Sequence, residues 1–228
     1  MTLEVCCGNI PSVRAAVQAG ADRVELCRDL DVDGLTPTAE MIRQATSICH
    51  PAAVKVHVLI RPRQGNFVYT PVEYRQTLSD IQMAIRHGAD GIVIGALTAQ
   101  GDIDLIQTAG MIAHARQSSA HRPISITFHR AFDVCRDPIL ALGQLIHLGC
   151  DRILTSGQQP TAQAGIPLLR QLVQEAAGRI TILCGAGVNT ENARHILLQT
   201  HATEIHGSLR TGTVTDPDKV RKVKEAIR

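Results

Sequence analysis

Eight short strand-patterned segments, each followed by a helix-patterned stretch, constrain this chain more than any other feature. The strands read as Leu3–Cys7, Asp22–Cys27, Val54–Ile60, Gly91–Ile94, Ile124–His129, Arg152–Thr155, Ile180–Cys184 and Thr203–His206. The helices read as Ile10–Gly20, Thr38–Ile48, Val72–His87, Ile103–Gln117, Pro138–Leu148, Ala162–Ala177, Thr190–Thr200 and Pro217–Ile227. Strands alternating with helices form a parallel sheet, because a parallel pair needs a long crossover. Eight such units without a linker predict closure into a compact (β/α)8 barrel of the TIM type, one domain over residues 1–228. An open doubly wound sheet would call for a Gly-rich turn after the first strand. Cys7-Gly8-Asn9-Ile10-Pro11 lacks it. Three joints between helix and strand repeat one another: Gly20-Ala21-Asp22, Gly88-Ala89-Asp90 and Gly149-Cys150-Asp151. In each, Gly suits a left-handed helix cap and Asp precedes the strand.

Composition narrows the partners. Hydrophobic residues make up 44% and charged residues 19% of 228, which fits a globular chain with a real core. Net charge is +2, aromatics are 2%, and no Lys/Arg block exists, so the footprint of a nucleic-acid binder is absent. No apolar run approaches the ~20 residues of a membrane span. The start, Met1-Thr2-Leu3-Glu4-Val5, lacks the pattern of a signal peptide, so a cytoplasmic location is expected. The odd count of seven Cys, without disulfide-like spacing, fits free thiols in that reducing compartment.

Strand parity places the polar groups. In the third strand, Val54, Val56, Val58 and Ile60 share one face, while Lys55, His57, Leu59 and Arg61 share the other. Apolar branched positions face the helices of a barrel, so the second set faces its interior. The same split sends Glu4, Cys6, Arg23, Glu25, Cys27, His129, Glu204 and His206 inward. Unpaired burial of such groups costs several kcal/mol each, about 3–5 for a broken buried pair, so they must pair, meet solvent, or bind something. Pairing that only sets the fold is the plainer reading for Glu4 and Arg23, near strand starts. His57, Arg61, His129 and His206 lie at C-terminal strand ends, where barrel enzymes place their sites.

Three chemistries follow. An anion site would use Gly185 and Gly187 after the seventh strand, leading to a helix near Asn189, with Ser208 after the eighth. Arg61, Arg63 and Arg130 add guanidinium groups, and Ser156 sits in the loop after the sixth strand. Proton transfer would use Glu25, His57, His129 and His206 as acid–base groups. A metal site would use Cys6 and Cys27, which share inward parity at equivalent ends of neighbouring strands. Two converging thiolates suit Cu(I) or Zn(II). Cys49, Cys150 and Cys184 read as packing residues, and Cys135 lies in a loop near the mouth. His50, His87, His114, His121, His147, His195 and His201 fall on helices or opposite-side loops, as surface residues.

Taken together, the motifs resemble the CutC family of copper homeostasis proteins. The stretches that carry the resemblance are Glu4-Val5-Cys6-Cys7, Gly20 to Cys27, Gly34-Leu35-Thr36-Pro37, Ile60-Arg61-Pro62-Arg63, Phe128 to Asp133, Leu154 to Gln158 and Gly185 to Val188. The loop Gln64-Gly65-Asn66-Phe67-Val68 departs from the family's pattern, in which Gly-Gly-Asp-Phe is expected and a Cys sometimes follows the Phe. The resemblance implies a TIM-type barrel, a cytoplasmic homodimer or higher homo-oligomer, and Cu(I) binding through Cys6, Cys7 and Cys27. Two functions therefore stand side by side: a copper-handling protein, and a barrel enzyme acting on a small anionic or phosphorylated metabolite.

Overall fold

Eight parallel strands close into a barrel in sequence order, as the alternation predicts. The structure, a computed structural model, describes residues 1–120 and 122–228. The strands are β1 (Thr2–Cys7), β2 (Arg23–Leu26), β3 (Lys55–Leu59), β4 (Gly91–Ile94), β5 (Ser125–Phe128), β6 (Arg152–Thr155), β7 (Thr181–Cys184) and β8 (Glu204–Gly207). The helices are α1 (Ile10–Gln18), α2 (Ala39–Cys49), α3 (Pro71–Arg86), α4 (Leu105–Ser118), α5 (Pro138–Leu148), α6 (Ile166–Ala176), α7 (Ala193–Thr200) and α8 (Pro217–Ala226). A small antiparallel hairpin, β9 (Arg210–Thr211) with β10 (Val214–Thr215), precedes α8.

Helix α3 shows how local sequence sets an element. Thr70 caps it, accepting from the Glu73 N–H, while the Glu73 carboxylate takes the Thr70 N–H in return. Pro71 stands at the first turn, where its missing N–H costs nothing. Thr77, Ile81, Ala84 and Ile85 recur at three- and four-residue spacing and are buried against the strands. Full burial of a side chain such as Ile81 contributes about 1.5–3 kcal/mol.

The repeated Gly-x-Asp joints have a defined task. Gly20, Gly88 and Gly149 take φ of 84°, 95° and 78°, the left-handed region that ends a helix without strain. The Asp carboxylate then reaches the neighbouring odd strand. Asp22 accepts from the Leu3 N–H at 2.7 Å, Asp90 from Val56 at 2.9 Å and Asp151 from Ile126 at 2.7 Å. Each aspartate thus satisfies a strand amide at the closed end of the barrel.

Two apolar layers enclose the sheet. Val5, Val24, Val56, Ile92, Ile126, Ile153 and Ile205 point outward into the main core beneath the helices. Inside, Cys6, Cys27, Leu59 and Val93 make a small separate cluster. Parity was therefore read correctly, and Cys7 falls on the outer side. Two helix starts were read too early. Helix α6 begins at Ile166 and α7 at Ala193. Asn189 and Asn192 form a side-chain-bonded turn first, with the Asn189 carboxamide accepting from the amides of Glu191 and Asn192. The start of α7, at Ala193, is not among the residues that line the mouth cavity.

Candidate functional site

The barrel interior stacks polar groups in levels. At the closed end, Glu4 receives Arg23 and, at 2.8 Å, the Nδ1 of His206. Arg23 also donates to Glu204 at 2.5 Å, and Arg152 donates to Glu204 at 2.9 Å and to Ser125 at 2.5 Å. Glu4 and Arg23 thus take the structural role expected of them. Burial alone would raise the Glu4 carboxyl, but Arg23, His206 and His57 outweigh it and hold it well below the usual carboxylate range. Arg152 is an interior residue that the parity reading missed.

His57 sits at the same depth. Its Nδ1 is 3.8 Å from Glu4 and has no hydrogen-bond partner among the described residues. Its ring lies against Gly91 of β4, where an added Cβ would come within 2.6 Å of it. Burial pushes its pKa down to about 3, so the ring is neutral. His57 does not line the cavity above. It belongs to the floor, not with the other three groups assigned to proton transfer.

One level up, the thiols of Cys6 and Cys27 lie 3.8 Å apart. The Nε2 of His206 is 3.8 Å from Glu25. Among the described residues, Cys6, Glu25 and His206 each offer one ligand atom, and these atoms lie within 4.8 Å of one another. The neighbouring Cys27 thiol, then burial, push the Cys6 thiol well up from its ordinary value, so Cys6 carries its proton until a cation replaces it. Burial would lower His206, but Glu25, Cys6 and Glu4 raise it well above its ordinary value. Burial raises the Glu25 carboxyl. Cys7 faces the outer core, with its thiol on the Val5 carbonyl at 3.6 Å, so it cannot join this group.

Above these groups opens a cavity of about 400 Å3 at the C-terminal face. Cys6, Glu25, Arg61, His129, Arg130, Gly187, His206 and Ser208 all line it, so most of the expected site residues converge. The remainder do not. Cys27 is covered by Cys6 and is fully buried. Arg63 turns away to Glu73 at 2.5 Å and to the carbonyls of Asn66 and Val68, beside the Tyr69 ring. The Ser156 hydroxyl donates to the Gln159 carbonyl at 2.5 Å, inside its own loop. Gly185 makes room for Leu154, which an added Cβ would approach within 2.6 Å.

Sequence reasoning passed over the roles of Asp133 and Phe67. Asp133 accepts from Arg130 at 2.7 Å, the Thr155 hydroxyl at 2.5 Å and the Ser156 N–H at 2.9 Å, joining the loops after β5 and β6. Phe67 lies under the Arg61 guanidinium at 5.2 Å and tilts against the His129 ring at 4.9 Å. Its place in the resemblance was the one sequence signal for it. Asp33 and Leu30, from the loop after β2, complete that rim. Of the histidines expected at the surface, His50 pairs with Asp90 at 3.0 Å, while His87 and His114 are half-buried. His121 lies outside the described residues. No helix is long and apolar enough to cross a membrane, among the described residues.

Comparison with known proteins agrees with this fold. A CutC family protein from Bacteroides thetaiotaomicron is 48% identical over 213 residues, covering 93% of this chain and 82% of the relative. One from Pasteurella multocida is 48% identical over 206 residues, covering 90% and 81%. A crystal structure from Streptococcus agalactiae, named as a copper homeostasis protein CutC, superposes with a TM-score of 0.83 at 34% identity, over 91% of this chain and 98% of that one. The model of the CutC family matches residues 1–211, and the chain belongs to that family.

Proposed function

We propose that this chain serves copper homeostasis by holding Cu(I) as cargo at the base of the cavity, with the Cys6 and Cys27 thiolates as ligands. The single observation that carries the reading is the 3.8 Å separation of the two sulfurs, one facing the cavity and one behind it. Soft thiolates in a buried site select Cu(I) over harder cations. His206 and Glu25 each stand within 4.8 Å of the Cys6 sulfur and offer a nitrogen and an oxygen donor. The name carried by the Streptococcus agalactiae structure points the same way. Because the Cys6 thiol is held protonated, uptake there releases a proton, and affinity rises with pH. A reducing cytoplasm keeps both sulfurs available. Exposed Val72 and Ile106, at the starts of α3 and α4, support self-association as a homodimer or larger assembly.

The test is anaerobic titration of the metal-free chain with Cu(I) against a chromogenic Cu(I) chelator. The wild type is expected to retain about one ion per chain in the competition. The Cys6→Ser, Cys27→Ser double variant is expected to retain none. Equal retention by both proteins would reject these ligands.

A further inference from the structure

The cavity wall above the sulfurs holds two donors that the protein leaves unused. Arg61 is buried, and its guanidinium is fixed on three sides. Nη1 donates to the carbonyls of Val32 at 2.7 Å and Gly34 at 3.0 Å, and Nη2 donates to Gly65 at 3.1 Å. Its Nε–H has no partner, and no carboxylate pairs with it among the described residues. His129 is equally buried. The Ala131 N–H donates to its Nδ1 at 3.0 Å, so that nitrogen is an acceptor, and the ring proton must sit on Nε2. Burial, then the Arg61 charge, push the His129 pKa down to about 3, which keeps this neutral tautomer. The His129 Nε2–H also has no partner among the described residues. Phe67 packs against both groups.

We infer that the β3–β5 wall of the cavity, through the Arg61 Nε–H and His129 Nε2–H, is a binding site for the oxyanion of a small carboxylate or phosphate ligand. An unpaired buried donor costs about 1–3 kcal/mol, and a buried cation without a counter-charge costs more. Neither N–H is reached by solvent in this structure, so a ligand oxygen meets them only where the wall opens. A carboxylate or phosphate oxygen meets them with the opposite charge that Arg61 demands, in a charge-assisted bond. Arg130, half-exposed at the rim and bound to Asp133 through Nε only, keeps its outer nitrogens for the same ligand. The cavity of about 400 Å3 suits a small molecule and no polymer. This site stands apart from the thiols, and the inference does not rest on copper binding.

The experiment is calorimetric titration of the metal-free chain with inorganic phosphate and, separately, with malonate. At least one probe is expected to bind saturably, and the better one names the ligand class. His129→Asn keeps a side-chain acceptor for the Ala131 N–H, since Asn is a good cap, but removes the Nε2–H. It is expected to weaken binding at least about tenfold, the share of one hydrogen bond to a charged group. As a readout free of any folding defect, the His129 Nε2 nitrogen resonance of the wild type should move on adding the better probe, while that of His50 stays. A Cys6→Ser background should bind the probe as the wild type does, which separates this site from the copper reading. No saturable binding by either probe, equal binding by His129→Asn, or a stationary His129 resonance would each overturn the inference.

Discussion

Substituting Gly95 by Ala tests whether the two interior histidines depend on glycines of β4 and its end. A Cβ at Gly95 would lie 2.4 Å from Cε1 of His129 and 2.5 Å from Nδ1. The backbone there is not left-handed, so Ala fits the chain path itself. Removing glycine freedom from the unfolded chain would alone stabilise by about 0.4–1 kcal/mol. The collision works against this. Overpacking of a filled site costs about 1–3 kcal/mol, and a displaced ring also gives up the Ala131 bond, about 1 kcal/mol more. The expected net is a loss of about 1–3 kcal/mol. His129→Ser removes the ring and keeps a capping oxygen for Ala131. In that background Gly95→Ala should be neutral or stabilising by up to about 1 kcal/mol. The two changes should therefore couple by about 2–3 kcal/mol, read from urea midpoints at constant m. If Gly95→Ala costs the same with and without the ring, within about 0.5 kcal/mol, the reasoning is refuted.

Three further outcomes are expected. Folded His129 stays neutral with a pKa near 3, while its unfolded counterpart takes a proton below about 6.5. Its contribution is thus fully present above pH 6.5 and is lost as pH falls toward 3. The stability of the wild type relative to His129→Ser should fall by up to about 1.4 kcal/mol per pH unit between pH 6 and 4, and parallel profiles would exclude this. Glu4→Gln strips the counter-charge from Arg23 and His206 and should cost about 3–5 kcal/mol in urea unfolding; a loss under about 1 kcal/mol would mean the network is not closed through Glu4. Asp133→Ala leaves the Ser156 N–H and Thr155 hydroxyl without their acceptor, at about 1–3 kcal/mol each; amide exchange at Ser156 should accelerate well beyond that at Leu183, and equal protection would contradict the assigned role.

The barrel was legible because parity and joints agree at many points. Val54, Val56 and Val58 against His57 leave one orientation for β3, and Glu204 and His206 flanking Ile205 leave one for β8. Where both faces are apolar the contrast fails. In β6, Ile153 goes out and Leu154 goes in, so nothing marked Arg152 as interior. Parity also carries no height. His57 and His129 share a face, but strand tilt and stagger set one at the floor and the other at the mouth. Gly91 and Gly95 looked like ordinary small residues, because the rings they admit come from neighbouring strands. Asp133 was visible as part of His-Arg-x-x-Asp, but its partners Thr155 and Ser156 lie on the next unit. Asn189 stood where a helix cap is expected, and only the bonds between Asn189 and Asn192 show that the helix waits until Ala193.

The three aspartate clamps divide the barrel into two-strand modules. Asp22, Asp90 and Asp151 tie β2 to β1, β4 to β3 and β6 to β5. The fourth pair has Thr203 at that place, after the left-handed His201, where the other joints have Gly and then Asp. The Thr203 carbonyl still accepts from the next strand, as those of Asp22, Asp90 and Asp151 do, and here that bond crosses the closing seam, with Thr2 donating at 2.9 Å. The sites at which the ring can be reopened are thereby unequal. A circular permutant with its original ends joined and new ends between β2 and β3, or between β4 and β5, keeps every clamp within one local segment. New ends between β1 and β2 turn the Asp22 clamp into a contact between the two ends of the chain, to be formed last and frayed first.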